Sequence, residues 1–268
     1  MLKKRIIPVI LLRNGNLVQS KDFKRYKNIG NPVTAVKRLS EWGADELIYL
    51  DISRNANYDL GRDDLGYENK SGIFDILEGV SQCTMMPSTI GGKIRTISDI
   101  EDRLRFGADK VSINTLLYTA PEIVAQAVSK FGSQCIVASI DVKCVDDQYK
   151  VFVEGGRTDT NFELSAWLTK ITELGVGEIL LNSIDNDGHL QGFDINMISL
   201  VCEQVNIPVI ACGGAGNWEH LLEVLSETNV SAVAAANIFH YTDQSVYMAK
   251  KFLYDHGVTV RKPALYQF

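Results

Sequence analysis

Short apolar runs recur along the chain, and each is followed by a stretch whose apolar positions return every three or four residues. The runs fall at 4–12, 46–52, 84–91, 110–114, 135–142, 178–184, 208–213 and 232–239. Stretches of helical period lie between them, as at 32–42, 96–106, 120–131, 161–174 and 218–228. Gly43, Gly107, Gly132, Gly175 and Gly257 each follow a helical stretch, where a left-handed cap is wanted. The apolar runs have no polar face, which predicts parallel strands buried on both sides by helices. Eight such units in 268 residues fit a closed (β/α)8 TIM barrel occupying residues 1–268 as a single domain. An open doubly wound sheet shares the same alternation.

The pattern also repeats. GADELIYLDI (43–52) returns as GVGEILLNSI (175–184), and IGG (90–92) returns as CGG (212–214). The first pair is 132 residues apart, close to half the chain, so the barrel is expected to consist of two fused half-barrels. Strand 4–12 then corresponds to strand 135–142, and Leu11 to Asp141. One stretch, SRNANYDLGRDDLGYENKSG (53–72), breaks the compact plan as a long polar loop after the second strand. It leaves the C-terminal end of a strand, the face on which such barrels carry function.

Composition narrows the partners. A hydrophobic content of 46% supplies a core, and a net charge of −6 without a basic block argues against nucleic acid or an anionic membrane as main partner. An anion site must then be local, built from backbone and a few cations. Five cysteines without C-x-x-C spacing and four scattered histidines give no metal signature and point to a reducing, cytoplasmic setting. No cofactor is expected. The amino-terminal MLKKRIIPVILL has too short an apolar run to span a membrane and no small-residue cleavage site, so it reads as the first buried strand.

Two glycine-bearing turns, Gly91-Gly92-Lys93 and Gly213-Gly214-Ala215-Gly216, follow strands at matching places in the two halves. Such turns let backbone N–H groups close on an anion. A pair of them suits a small anionic substrate with two charged ends; a tight turn without a ligand is the plain alternative. Lys93 would add a cation to the first site, or stand as a solvated lysine. Asn114, Asp141, Asn182 and Asp187 lie at strand ends. Asp141 follows an apolar run, so it should face the mouth of the barrel with its pKa raised by burial; a loop-capping aspartate is the alternative. Arg5, Glu46, Lys110 and Glu178 sit at the opposite ends of their strands. They can neutralise one another in a ring or be separate solvated charges.

In order along residues 3–261, the motifs KRIIP, GADELIYLDI, GADKVSINT, FGSQCIVASIDVK, GEILLNSIDNDG, IPVIACGGAGN and IFH resemble those of the cyclase subunit of imidazole glycerol phosphate synthase. The resemblance implies a (β/α)8 barrel in a heterodimer with a class I glutaminase. Ammonia from the glutaminase would pass up the barrel interior to a substrate held by two phosphates. It implies a gate at Arg5, Glu46, Lys110 and Glu178, with Asp109 facing the glutaminase. One phosphate would lie at Gly92, Asn114 and Thr115, the other at Asp187, Gly188, Gly214, Ala236 and Asn237.

The departures bear on the substrate end. The family's two catalytic aspartates fall on Leu11 and Asp141, its loop lysine on Gln19, a turn glycine on Lys93 and a strand threonine on Asn182, and loop 53–72 is longer than the family's. In this the chain is similar to paralogues associated with bacterial surface-polysaccharide synthesis. Those work with a glutaminase-like partner and a separate amidotransferase to turn an acetamido sugar group into an acetamidino group. The expectation is an ammonia-using subunit for amidination of a nucleotide-linked sugar, with Asp141 handling protons. The alternatives are the cyclase/lyase of histidine synthesis and a non-catalytic ammonia conduit and scaffold.

Overall fold

The computed structural model describes residues 2–54, 58, 66, 70–81 and 86–267. Its strands are β1 (Arg5–Arg13), β2 (Asn16–Lys21), β3 (Arg25–Gly30), β4 (Leu47–Asp51), β5 (Ser88–Gly91), β6 (Lys110–Ile113), β7 (Ile136–Val145), β8 (Gln148–Val153), β9 (Thr158–Glu163), β10 (Glu178–Ser183), β11 (Val209–Cys212) and β12 (Ala232–Ala235). The parallel strands run in the order β1-β4-β5-β6-β7-β10-β11-β12, and β12 pairs back onto β1. Among the described residues this is a closed eight-stranded parallel barrel, which removes the open-sheet alternative.

The helices fill the crossovers: α1 (Pro32–Glu41), α2 (Ile73–Ser81), α3 (Ile97–Arg105), α4 (Thr115–Thr119), α5 (Pro121–Phe131), α6 (Leu164–Glu173), α7 (Ile195–Gln204), α8 (Trp218–Glu227) and α9 (Ser245–Asp255). Their starts are chemically marked. Asn31, with proline in the first turn, caps α1, Asn217 caps α8, and Thr96 with Asp99 forms a capping box on α3. No helix among the described residues is long and apolar enough to cross a membrane.

Alternation along the strands divides the apolar residues in two. Ile6, Ile10, Leu12, Tyr49, Ile136, Ile140, Ile179 and Leu181 belong to the core between barrel and helices. Ile7, Val9, Ile48, Val137, Leu180, Ile210, Ala232 and Ala234 pack together inside the barrel, with Leu11, Leu50, Cys212 and Ala236 against them.

The structure departs from the sequence reading in four places. The segment 161–163 is extended, not helical, because Thr158–Glu163 pairs with β8 and Thr160 Oγ1 donates to the Val151 carbonyl at 2.8 Å. β2–β3 and β8–β9 are hairpins that the sequence reading left unassigned apart from 161–163. Asn14 and Gly15, both at positive φ, make the two-residue turn from β1 into β2, a signal present in the sequence. Gly132 has positive φ but ψ 149°, outside the left-handed cap expected there. Most of loop 53–72, and the start of the run 84–91, lie outside the described residues.

The barrel's lower end is tied to the chain's last segment. Lys250 is 1% exposed and donates to the Gly43 carbonyl and Asp45 Oδ1, while Arg261 Nε lies 3.0 Å from the same Asp45 oxygen. Asp45 Oδ2 in turn accepts from the Ile6 amide at 2.9 Å. Stripping a buried ion pair of one partner costs about 3–5 kcal/mol, and Arg261 retains part of the pairing. Lys250→Ala should therefore lower the thermal midpoint by roughly 6–12 °C. A melt within two degrees or so of wild type would mean the contact is dispensable.

Candidate active site

The C-terminal ends of the strands open into a cavity of about 1130 Å³. Gly92, Lys93, Asn114, Thr115, Asp141, Asn182, Asp187, Gly188, Gly214, Ala236 and Asn237 all line it, whereas Gly91, Gly216 and Gln19 do not. Asp141 lies on β7 itself, not in a capping loop, and is 7% exposed. Asn114 Nδ2 donates to its Oδ2 at 3.2 Å and Asn182 Nδ2 to its Oδ1 at 3.5 Å. Burial pushes the carboxyl up to about 7; the field of Asp187 adds to this, and the two amides offset part of it. Asn182, expected to touch substrate, therefore serves Asp141 in this geometry. Leu11, across the mouth, packs on the barrel's inner apolar cluster.

The two glycine turns have a steric reason independent of any ligand. A Cβ on Gly92 would fall 2.1 Å from the Asp51 carbonyl oxygen, and one on Gly214 would fall 1.9 Å from that of Gly192. Lys93 stands beside Gly92 with φ 54°, an unusual conformation for a side-chain-bearing residue. Its ammonium is 3.3 Å from Asp51 Oδ2 and 4.8 Å from the centre of the Tyr58 ring, so it is not simply solvated. Asp51 also accepts from the Ser53 amide and the Tyr58 hydroxyl. Arg103, 4% exposed, donates to the Gly92 carbonyl from behind the turn. Thr115 Oγ1 accepts from the Glu154 amide at 3.2 Å.

On the opposite wall, Asp187 Oδ2 accepts from Ser20 Oγ at 2.8 Å and from the Phe23 amide at 3.1 Å. These contacts seat the β2–β3 hairpin over the mouth. His189 pairs with Asp22, and Asn237 Nδ2 donates to the Ser20 carbonyl at 3.4 Å. Gly188 is fitted against the same carbonyl, and Ala236 lines the cavity beside Asn237. Gln19, at the family's lysine position, accepts from the Tyr241 hydroxyl. The sequence reading missed Ser20, Phe23, Asp51, Tyr58 and Arg103. Ser20 and Asp51 lie near or at the ends of β2 and β4, Phe23 and Tyr58 outside regular elements and Arg103 on α3, where no period marks a site, though Asn14-Gly15 announces the hairpin that carries Ser20 and Phe23.

At the floor, the four charges form one closed ring. Arg5 reaches Glu46 at 2.7 Å and Glu178 at 2.5 Å; Lys110 reaches Glu46 at 3.0 Å and Glu178 at 2.7 Å. Burial opposes the Arg5 cation, but Glu178 and Glu46 outweigh it and hold the guanidinium above its ordinary pKa. Thr89 Oγ1 donates to Glu46 from inside the ring. Asp109 stands beside it, exposed, with Oδ2 accepting from the Ser88 amide.

The Asp141 carboxyl has a stability signature. As pH rises, the unfolded chain loses this proton near 4, but the folded chain holds it until about 7. The group's contribution to stability therefore falls between those values and stays low above them, by at most about 4 kcal/mol. Asp141→Asn cannot ionise. Its thermal midpoint relative to wild type should rise from pH 4.5 to pH 8, and a pH-independent difference would contradict the burial of this carboxyl.

The family described as "Histidine biosynthesis protein" matches residues 5–245. Three curated relatives bear the name imidazole glycerol phosphate synthase subunit HisF. That of Streptococcus mutans is 40% identical over 262 residues, that of Bacillus subtilis 41% over 263, and that of a Hydrogenobaculum species 43% over 262. In each case 97% of this chain and 100% of the relative are covered. Likeness of that extent leaves no segment of the barrel unaccounted for, and the chain belongs to the histidine biosynthesis protein family, among the HisF-like cyclase barrels of imidazole glycerol phosphate synthase.

Proposed function

We propose that the chain, as one barrel over residues 1–268, is the ammonia-using subunit of a glutamine amidotransferase of the imidazole glycerol phosphate synthase type. Its partner is a class I glutaminase docked on the floor around Asp109. One observation carries the reading: a polar track runs from the neutral ring to the buried carboxyl of Asp141 at the mouth. Thr89 bonds Glu46 within the ring. Ser112 follows Lys110 on the inner face of β6, its buried hydroxyl without a hydrogen-bond partner among the described residues, and Asn114 comes next and bonds Asp141. A small neutral nucleophile entering at the ring meets hydroxyls along an otherwise apolar bore. At the far end Asp141, poised near neutrality, can give and take protons as ammonia bonds to carbon. Gly92, Lys93, Asn114 and Thr115 would hold one anionic end of the substrate, and Gly188, Gly214, Ala236 and Asn237 the other.

The names of the relatives favour the cyclase/lyase reaction of histidine synthesis over sugar amidination, which finds no support among them. Amidination of an acetamido sugar with a separate amidotransferase is kept as a second reading on one observation. Leu11 stands where the family carries its other catalytic aspartate, and it leaves that wall apolar. Turnover of the two-phosphate cyclase substrate with ammonium chloride decides. The first reading expects product with wild type and a loss of roughly 10²–10⁴-fold in Asp141→Asn. A wild type that binds and stimulates a glutaminase yet makes no product favours the second.

The ring has its own test. Lys110 is 20% exposed, so Lys110→Ala should cost less than the about 3–5 kcal/mol of a fully buried pair, but more than the roughly 0.2–1 kcal/mol of an exposed one. With the glutaminase bound, glutamine hydrolysis should continue while product formed per glutamate falls. An unchanged melt and an unchanged ratio together would reduce the ring to four surface charges.

A further inference from the structure

Ammonia addition needs more than one carboxyl can supply at once, because a nitrogen must lose a proton while an oxygen gains one. β1 ends in Leu11 and provides no second acid. The other acids lining the cavity can be taken in turn. Both oxygens of Asp51 are engaged, by the Ser53 amide, the Tyr58 hydroxyl and Lys93. Asp22 is bound to His189, which holds its pKa low. Asp185 and Glu154 are exposed at the rim, accepting from the Cys144 amide and the Thr158 hydroxyl. Burial drives the Cys212 thiol up to about 12, so it keeps its proton.

Asp187 differs from all of these. Both of its hydrogen bonds fall on Oδ2, and Oδ1 carries none among the described residues. It lines the same cavity as Asp141, whose carboxyl its charge raises. Burial raises its pKa, Ser20 and Phe23 oppose that, Asp22 adds to it and His189 subtracts. Tyr26 and Cys212 are the other titratable groups within its field.

We infer that Asp187 is the second proton-handling carboxyl of the site, standing in for the acid that β1 lacks. The inference rests on the ammonia-using reading above. With a carbonyl carbon as the electrophile, the C–N bond forms as the C=O π bond opens. Nitrogen passes one proton to the Asp187 carboxylate, and the oxygen takes one from protonated Asp141. Asp187 then returns its proton to the hydroxyl, which leaves as water. The Asp141 carboxylate takes the second nitrogen proton as C=N forms, and both carboxyls return to their starting states. Ser20 and the Phe23 amide hold the Asp187 carboxyl in place while Oδ1 faces the reaction.

The test separates proton handling from hairpin anchoring. Asp187→Asn keeps an oxygen that can accept from Ser20 and Phe23 but cannot carry the proton. With the cyclase substrate and ammonium chloride, it should lose roughly 10²–10⁴-fold in kcat and the acid limb of the pH profile, with Asp187→Glu recovering part of both. Wild-type kcat with an unchanged profile would leave Asp187 as a hairpin anchor only. A second arm needs no turnover and stands even if that substrate is the wrong one. Carboxyl carbon-13 titration of the full chain, with the Asp141 signal assigned by its absence in Asp141→Asn, should put the Asp141 midpoint lower by roughly half a unit or more in Asp187→Asn. An unmoved midpoint would overturn the coupling, and the inference with it.

Discussion

Closing eight parallel strands on themselves forces every second side chain of each strand toward one axis. On β1 these are Arg5, Ile7, Val9 and Leu11; on β10 they are Glu178, Leu180 and Asn182. The middle of that bore is filled by Ile7, Val9, Ile48, Val137, Leu180 and Ile210, which admit no unpaired charge. Charge is therefore confined to the two ends. At the floor, four ionic side chains converge and must neutralise one another, which they do as an alternating ring. At the mouth, one carboxyl converges on an apolar wall and is pushed toward neutrality instead. A neutralised ionic ring and a carboxyl raised toward neutrality thus follow from the same geometric closure.

That closure also decides what could be read in the sequence. Strands buried on both faces leave continuous apolar runs, so the barrel strands and the helices between them were legible, and Asp141 stood out at the end of one run. The ring was not legible from pattern, since Arg5 and Glu178 are 173 residues apart and become neighbours only when β12 meets β1. The hairpins were harder still. β3 (RYKNIG) is mostly polar and lies off the barrel path, so it resembles loop. Asp187 takes its partners Ser20 and Phe23 from such a segment, and nothing in its own neighbourhood announces the pairing.

Glycine at the mouth carries less functional information than its position suggests. Gly92 and Gly214 are required because a neighbouring turn's backbone passes where a side chain would be. That requirement would persist in a barrel that bound nothing. What separates an anion site from a crowded turn is the charge around it. Here Lys93 accepts a left-handed conformation and keeps its ammonium at the cavity, with Arg103 buried behind the same turn. A conformation that disfavours side chains, occupied by a long cationic one, is better evidence for a ligand than the glycines beside it.

The leucine at the end of β1 is more than a missing acid. Two carboxylates facing each other across a mouth hold one pKa high by repulsion, whatever the polarity of the walls. With Leu11, Leu50 and Ala236 on the inner cluster, repulsion from that side is gone and desolvation takes its place, and burial is indeed the largest cause of the Asp141 shift. The amides of Asn114 and Asn182 work in the opposite direction, each favouring the ionised form through one oxygen. A residue without a side-chain donor at 182 would remove one of those bonds and let burial carry Asp141 further up. Leu11 and Asn182, both departures from the family pattern, therefore act on the same carboxyl with opposite sign, and together they leave it close to neutrality.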